Sequence, residues 1–388
     1  MSINHPNLQE SRFAMTSTPF GLIGLIAATG LAVHTNANEL TIKVQPGYDS
    51  NPLRMNQTFN PDGSGFLESR LKGTLNLGET FYLHGDYRGR KYAEDSDNAD
   101  YYKAQAGIGM RTSLGWPVKK SHLKFELNTG VRDKTYVSRL TGKVGQSDDQ
   151  STADRYDYQF TELNSDWKIR WNKTHRTTFS FDLEQRDYED FSHLELSNFD
   201  YQKASVGASW RYSFQKKSSL TTSIKNTMQQ FDDRRERDRE GESLEETDLS
   251  YNSWQLKLRY KHKLSSQWQV SASSVYDLRQ DSGTGYYDRN RTKLAAGLTF
   301  RPGKHAQLET QIAYSQDNYP NRQSGSESDD EELVSENNYQ FQLGYRHGIS
   351  SIKGLSVKAE YDFITAQSAV SAYAYDRHQV RAGLQYRF

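Results

Sequence analysis

From Leu40 to its last residue the chain repeats one unit, about ten residues of strict apolar and polar alternation followed by a break. The breaks themselves alternate in length. Short ones fall at Gly78-Glu79, Gly115 to Ser121, Asn172 to His175, Gln215 to Ser218, Ser265 to Gln267, Arg301 to Lys304 and Gly348 to Gly354. Long ones cover roughly 49–65, 93–100, 137–154, 188–198, 232–248, 280–290, 317–337 and 367–375. Seven short turns and eight long loops delimit sixteen strands, each about the length that a tilted strand needs to cross a bilayer. A soluble β-sandwich also alternates, but nothing in it demands long and short breaks in strict succession.

Composition narrows the class further. With 34% hydrophobic residues, a soluble chain of this length would be short of core material. Its 17 Phe, 25 Tyr and 6 Trp argue against disorder, since disordered chains are depleted in rings. After residue 37 no run approaches the roughly 20 apolar residues of a spanning helix. A chain that is polar on average, rich in rings and apolar at every second position is expected to be all-β: a transmembrane antiparallel up-and-down β-barrel of about 16 strands. The absence of cysteine suits passage through an oxidising compartment.

The two ends point to the compartment. The apolar run Phe20 to Val33, preceded by Arg12 and followed by Thr35-Asn36-Ala37, reads as a signal peptide cleaved after Ala37. Residues 1–37 are then the leader and 38–388 the barrel, with Met1 and Met15 both open as the start. The chain ends Gln379-Val380-Arg381-Ala382-Gly383-Leu384-Gln385-Tyr386-Arg387-Phe388, with Val380, Ala382, Leu384, Tyr386 and Phe388 on one face. This resembles the C-terminal signal strand of Gram-negative outer-membrane barrels, read by the assembly machinery. The resemblance implies an outer-membrane location, an assembly signal in Leu384, Tyr386 and Phe388, and as partners the barrel assembly machinery, membrane lipid and lipopolysaccharide.

Parity assigns the faces. Leu67, Leu71, Phe81, Leu83, Ile108, Leu127, Phe179, Leu183, Val206, Trp210, Trp254, Leu258, Leu294 and Leu298 fall outward, and none of these positions carries a charge. Between Phe160 and Leu163 the apolar parity flips, which reads as a β-bulge. Proline, unable to donate to a ladder, is expected in breaks. Pro52, Pro61, Pro117, Pro302 and Pro320 satisfy this, and Pro46, inside the first strand, calls for a bulge or a rim position. Trp167, Trp171, Trp210, Trp254 and Trp268 lie near strand ends, as in an aromatic girdle.

With the outer face committed to lipid, chemistry must sit inside. The inward parity holds Arg88, Arg90, Arg111, Arg132, Arg186, Arg211, Arg259, Arg346 and Arg381, the candidate selectivity residues, with further Arg and Lys beside them. The inward acids, such as Glu68, Asp86, Glu126, Glu184, Asp277, Glu360 and Asp362, are about half as numerous, which would bias a water-filled lumen toward anions. The chain is nonetheless neutral, with 49 acidic against 49 basic residues, and the balancing acids sit in the loops, at Asp232 to Asp248, at Glu94, Asp95, Asp97 and Asp100, and at Glu327, Asp329, Asp330, Glu331, Glu332 and Glu336. They are either solvated loop charges or a place for divalent cations that bridge lipopolysaccharide phosphates. Inward Arg and Glu also form purely structural ladders in barrels.

No catalytic set is expected. Asp190 with Ser192-His193, and His84 with Asp86, lack a nucleophile elbow, and no metal-ligand spacing, phosphate loop or nucleic-acid motif occurs. No enzyme activity, cofactor, metal or nucleic-acid partner is therefore assigned.

The stretch Gln45-Pro46-Gly47-Tyr48-Asp49-Ser50-Asn51-Pro52-Leu53-Arg54 resembles the Tyr-Asp-x-Asn segment after the first strand of β-barrel porins in exopolysaccharide and capsule gene clusters. The porin-sized barrel as a whole implies a channel that passes small anions or exports an anionic polysaccharide. The alternative is a barrel plugged by its own ion pairs whose acidic loops meet a partner. Loop 137–154 is long enough to fold inward, as the third loop of general porins does, with only Asp148, Asp149 and Asp154 as acids.

Overall fold

The computed structural model describes residues 39–388 except 57, 59, 60, 119, 140, 148, 195, 216 and 324–332. The expected leader, Asp148 and the acids at 327 to 332 lie outside the described residues, as do the side chains of Glu94 and Asp95.

The chain lays down β1 (Glu39–Asp49), β2 (Ser64–Leu77), β3 (Phe81–Tyr92), β4 (Tyr101–Ser113) and β5 (Ser121–Lys134), then a small hairpin of β6 (Gln146–Ser147) and β7 (Gln150–Ser151). It continues with β8 (Tyr158–Arg170), β9 (His175–Tyr188), β10 (Tyr201–Phe214), β11 (Ser218–Phe231), β12 (Ser250–Lys263) and β13 (Trp268–Asp281). The last strands are β14 (Arg289–Phe300), β15 (Ala306–Gln323), β16 (Leu333–Gly348), β17 (Leu355–Ser368) and β18 (Tyr375–Arg387). All except the small hairpin join one closed antiparallel sheet of sixteen strands, in which each strand pairs with its neighbours in the chain and β1 closes on β18. Closure leaves no edge strand in the wall.

Alternation decides which way the wall faces. Val206, Met228 and Ile312 are 54%, 60% and 58% exposed and point outward, together with nearly all the large apolar positions assigned by parity. A wall that presents such side chains around its whole circumference is built to face hydrocarbon. Rings gather beside the short turns: Trp116 stacks on Trp167 at 5.7 Å, Trp210 on Tyr212 at 5.8 Å and Trp268 on Phe300 at 4.1 Å. Trp254 lies toward the long-loop end of β12. Gly354, with φ of +87°, makes the last short turn; a Cβ there would stand 2.0 Å from the Arg387 carbonyl oxygen.

Two local expectations are corrected, and of the bulge or rim position open for Pro46 the position near the long-loop end of β1 is left. Phe160 marks no bulge: β8 runs in unbroken register with β5 and β9, and Phe160 is an inward ring, buried against Tyr158 and below the Lys103 ammonium at 4.4 Å. Pro46 makes no bulge either. It pairs with Leu67 of β2, and on the β18 side the ladder skips Gln45 and Pro46 and resumes at Gly47 opposite Arg381 in the same register. Pro320 lies within β15 rather than in a break, at the one place where the β15 and β16 register shifts. There the missing N–H costs no ladder bond.

Candidate functional site: the inward face of the barrel

Register builds the site. Lys43 of β1 stands opposite Arg70 of β2, Arg70 opposite Arg88 of β3, Arg88 opposite Lys103 of β4, and Lys103 opposite Arg132 of β5. Five inward cations thus face one another across five strands, spaced by the ~4.8 Å between neighbouring strands. Like charges placed directly opposite destabilise a sheet unless something compensates them. Carboxylates do so for the first three: Asp86 lies 2.5 Å from Arg70, and Glu68 lies 3.4 Å from Arg88 and 3.5 Å from Lys43. Among the described residues Lys103 and Arg132 have no carboxylate within 4.0 Å and lie against rings, Phe160 at 4.4 Å and Tyr158 at 5.7 Å.

The nine candidate residues all fall on inward faces but divide in two. Arg90 is buried, bonded to Glu68 at 2.6 Å and to the Tyr92 hydroxyl at 3.2 Å. Arg381 is clamped by Glu360 at 2.5 Å and Asp362 at 3.0 Å, Arg186 is held by Glu184, and Arg88 shares Glu68. These four are committed to the wall. The other five, Arg111, Arg132, Arg211, Arg259 and Arg346, have no carboxylate within 4.0 Å among the described residues. Arg111 lies over the Tyr82 ring at 4.4 Å and bonds Asn76, and Arg346 bonds Gln307 at 3.3 Å. They keep a full charge toward the lumen.

The sequence reading missed the most buried polar cluster. Asp49, fully buried, accepts hydrogen bonds from Arg377 Nε at 2.9 Å, the Tyr92 hydroxyl at 2.8 Å and Gln379 Nε2 at 2.5 Å. The next residues extend the contact: Ser50 N–H donates to the His378 carbonyl at 2.9 Å, and Asn51 Nδ2 donates to the Asp376 carbonyl at 3.1 Å. Asn51 Oδ1 also accepts the Met55 N–H at 2.9 Å and fixes the start of the loop. The Tyr48-Asp49-Ser50-Asn51 segment therefore latches the first strand to the last. Its signal was present in the sequence as that motif, but its partner is more than 300 residues away.

At the long-loop end, the described residues between 135 and 157 fold back on themselves, with the Tyr136 N–H on the Ala153 carbonyl at 2.6 Å and the Ser138 N–H on the Lys143 carbonyl at 2.9 Å. Arg139 lies 5.6 Å from the Tyr373 ring, Gly142 lies against Met55, and Tyr156 stacks on Phe199 at 5.3 Å. The loop thus reaches back past β2 to β4 and meets the loops on both sides of the seam. At its end Asp157 has a carboxyl pushed up to about 7 by burial and by the nearby Asp133, Asp154 and Glu189, against the opposing effect of the Lys134 backbone N–H. In the acidic loop 232–249, Leu249 is fully buried and Arg234 packs over Phe231 and Tyr287. Among the described residues no acidic or histidine set converges on a metal-sized site.

No family model matches the chain, and no curated protein matches it. Solved structures do. OccAB1 from Acinetobacter baumannii superposes with a TM-score of 0.50 at 10% identity, over 90% of this chain and 96% of that one. An anion-selective porin from Comamonas acidovorans is similar at 0.48 and 12%, over 91% and 99%. A bacterial polysaccharide outer membrane secretin is similar at 0.46 and 11%, over 92% and 99%. The fold, with its sixteen closed strands, lipid-facing wall and alternating turns and loops, is that of a porin-like outer-membrane β-barrel.

Proposed function

We propose that the barrel is an outer-membrane channel with a basic lumen that passes small anions or exports an anionic polysaccharide. The observation that carries this is the set of inward cations with no carboxylate within 4.0 Å among the described residues, Arg111, Arg132, Arg211, Arg259 and Arg346 with Lys103, inside a wall whose outer face is apolar. Charges of one sign lining a pore with low-dielectric walls focus the field and enrich the counter-ion. The Tyr-Asp-x-Asn resemblance supports the export branch. In this reading the partners are membrane lipid and lipopolysaccharide outside, the assembly machinery during insertion, and the anionic solute within.

The test is a reversal potential across a planar bilayer under a salt gradient. The wild type should favour anions, less so as salt shortens the Debye length, about 10 Å at 0.1 M. Joint replacement Lys103→Gln, Arg111→Gln and Arg132→Gln should move the potential toward cations. Arg90, which pairs with Glu68, is not a useful target. A cation-selective wild type overturns the proposal. The inward ion pairs Arg90 with Glu68 and Arg381 with Glu360 and Asp362 favour the second reading, a barrel plugged by its own ion pairs whose acidic loops meet a partner, and a folded barrel that stays silent in the same bilayer would support it.

A further inference from the structure

A second row of cations lies at the other end of the barrel. The Arg170 N–H donates to the Lys120 carbonyl at 3.2 Å, Arg170 of β8 stands opposite Arg176 of β9, and Arg176 stands opposite Arg211 of β10. Arg211 is opposite Thr221 of β11, which is opposite Arg259 of β12. Lys120, Arg170, Arg176, Arg211 and Arg259 are all exposed, and among the described residues none has a carboxylate within 4.0 Å. The row differs from the Lys43 row, where Glu68 and Asp86 intervene. Because barrel strands tilt, a row perpendicular to them rises one step per strand, from the short turns into the lumen. At its foot lies a cavity of about 200 Å³ lined, among the described residues, by Lys120, His122, Lys168, Arg170 and Arg176. Of these, Lys168 has Asp166 at 3.1 Å.

Cations placed opposite one another with no protein counter-charge are unfavourable until an anion joins them. A single small anion would neutralise one or two members. A track of five across six neighbouring segments suits a polymer with one charge per repeat. From Lys120 to Arg211 the step between neighbours is the ~4.8 Å strand spacing, and Arg259 stands two spacings beyond Arg211; a single spacing is shorter than the ~6.6–7.2 Å between same-face carboxylates of an extended acidic polypeptide. It is close to the length of one sugar ring in a linear polyuronate, whose carboxylates also suit bidentate pairing with arginine. We infer that the short-turn mouth is a loading track for a carboxylated polysaccharide, engaged from the short-turn side and led upward along β8 to β12. This deepens the proposed function and rests on it only for the transport step.

The experiment separates the two. Binding of a fluorescent linear oligouronate to the detergent-solubilised full chain needs no conductance. The wild type should bind it, and the joint replacement Arg170→Gln, Arg176→Gln and Arg211→Gln should weaken binding more than tenfold and flatten its salt dependence. Arg→Lys at the same positions should restore part of the affinity, since lysine keeps the charge but not the bidentate pairing. Folding of each variant is checked by heat-modifiable migration. Monomeric glucuronate should bind at least a hundredfold more weakly, and polyglutamate of equal charge at least tenfold more weakly. In a bilayer with orientation set by a tag in loop 232–249, the oligouronate should block current at lower concentration from the short-turn side. Unchanged affinity in the Gln variant, equal binding of polyglutamate, or equal block from both sides overturns the inference. Binding that behaves as described in a barrel without conductance overturns only the channel reading.

Discussion

Replacing Asp49 by Asn tests the seam latch. The substitution keeps the size of the side chain and its ability to accept from Tyr92 or Gln379, but leaves the buried Arg377 guanidinium without its counter-charge. Breaking a buried ion pair by removing one partner costs about 3–5 kcal/mol, because the remaining charge stays desolvated. At about 1.4 kcal/mol per decade, the closed barrel should lose roughly two to three and a half orders of magnitude in its folding equilibrium. Asp86→Asn is the control: Arg70, its partner at 2.5 Å, is exposed, and surface pairs are worth about 0–1 kcal/mol. Urea unfolding in lipid vesicles, followed by tryptophan fluorescence, measures both. The double variant Asp49→Asn with Arg377→Gln should recover part of the loss, since it removes the orphaned charge. A loss within about 1 kcal/mol of the control would refute the latch.

Three further outcomes follow from the geometry. The Phe388 N–H donates to the Leu40 carbonyl at 2.9 Å and its ring meets Tyr386 at 4.3 Å, so deleting Phe388 should reduce heat-modifiable barrel in the outer membrane; normal levels would remove its role as an assembly signal. Asp157, raised to about 7 in the folded protein against about 3.9 when unfolded, favours the folded loop while protonated, so that stability falls as pH rises between those values. A nitroxide at Gln150 should therefore be more immobile at pH 5.5 than at 7.5, and Asp157→Asn should abolish the difference; a pH-independent spectrum in the wild type refutes this. Epitope tags in loop 232–249 should label on intact cells while tags at Gln215 should not, and reversed labelling would invert the topology.

Period-2 alternation made the wall legible, because a strand that buries one face in lipid cannot shift by a residue without exposing every polar side chain. The same rule misled at Phe160, where an inward ring imitated a change of face; only the β5 and β9 registers show that the strand runs straight. Lys43 lies between the outward Ile42 and Val44 and was within reach of parity, whereas Arg176, one residue past the expected turn, was hidden by an uncertain boundary. Which cations are neutralised was out of reach altogether. Arg90 and Arg211 look alike along the chain, and only the register brings Glu68 to one and no acid to the other.

The register also changes what the charge excess means. A tally over the lumen spreads the surplus of Arg and Lys evenly, yet the structure does not. Around the seam, Asp49, Glu68, Glu360 and Asp362 interleave with Lys43, Arg90, Arg377 and Arg381, so that this arc of wall is close to neutral and tightly tied. On the β8 to β12 arc, Arg170, Arg176, Arg211 and Arg259 stand without such partners among the described residues, at the short-turn end. A barrel must close somewhere, and the closing strands are joined by a pairing more than 300 residues long in sequence, where loop-closure entropy opposes contact most. Ion pairs concentrated there oppose that cost, while strands that pair with chain neighbours can hold unneutralised charge. The division of labour follows: the seam arc stabilises the wall, and the opposite arc carries the cations on which the proposed anion channel rests.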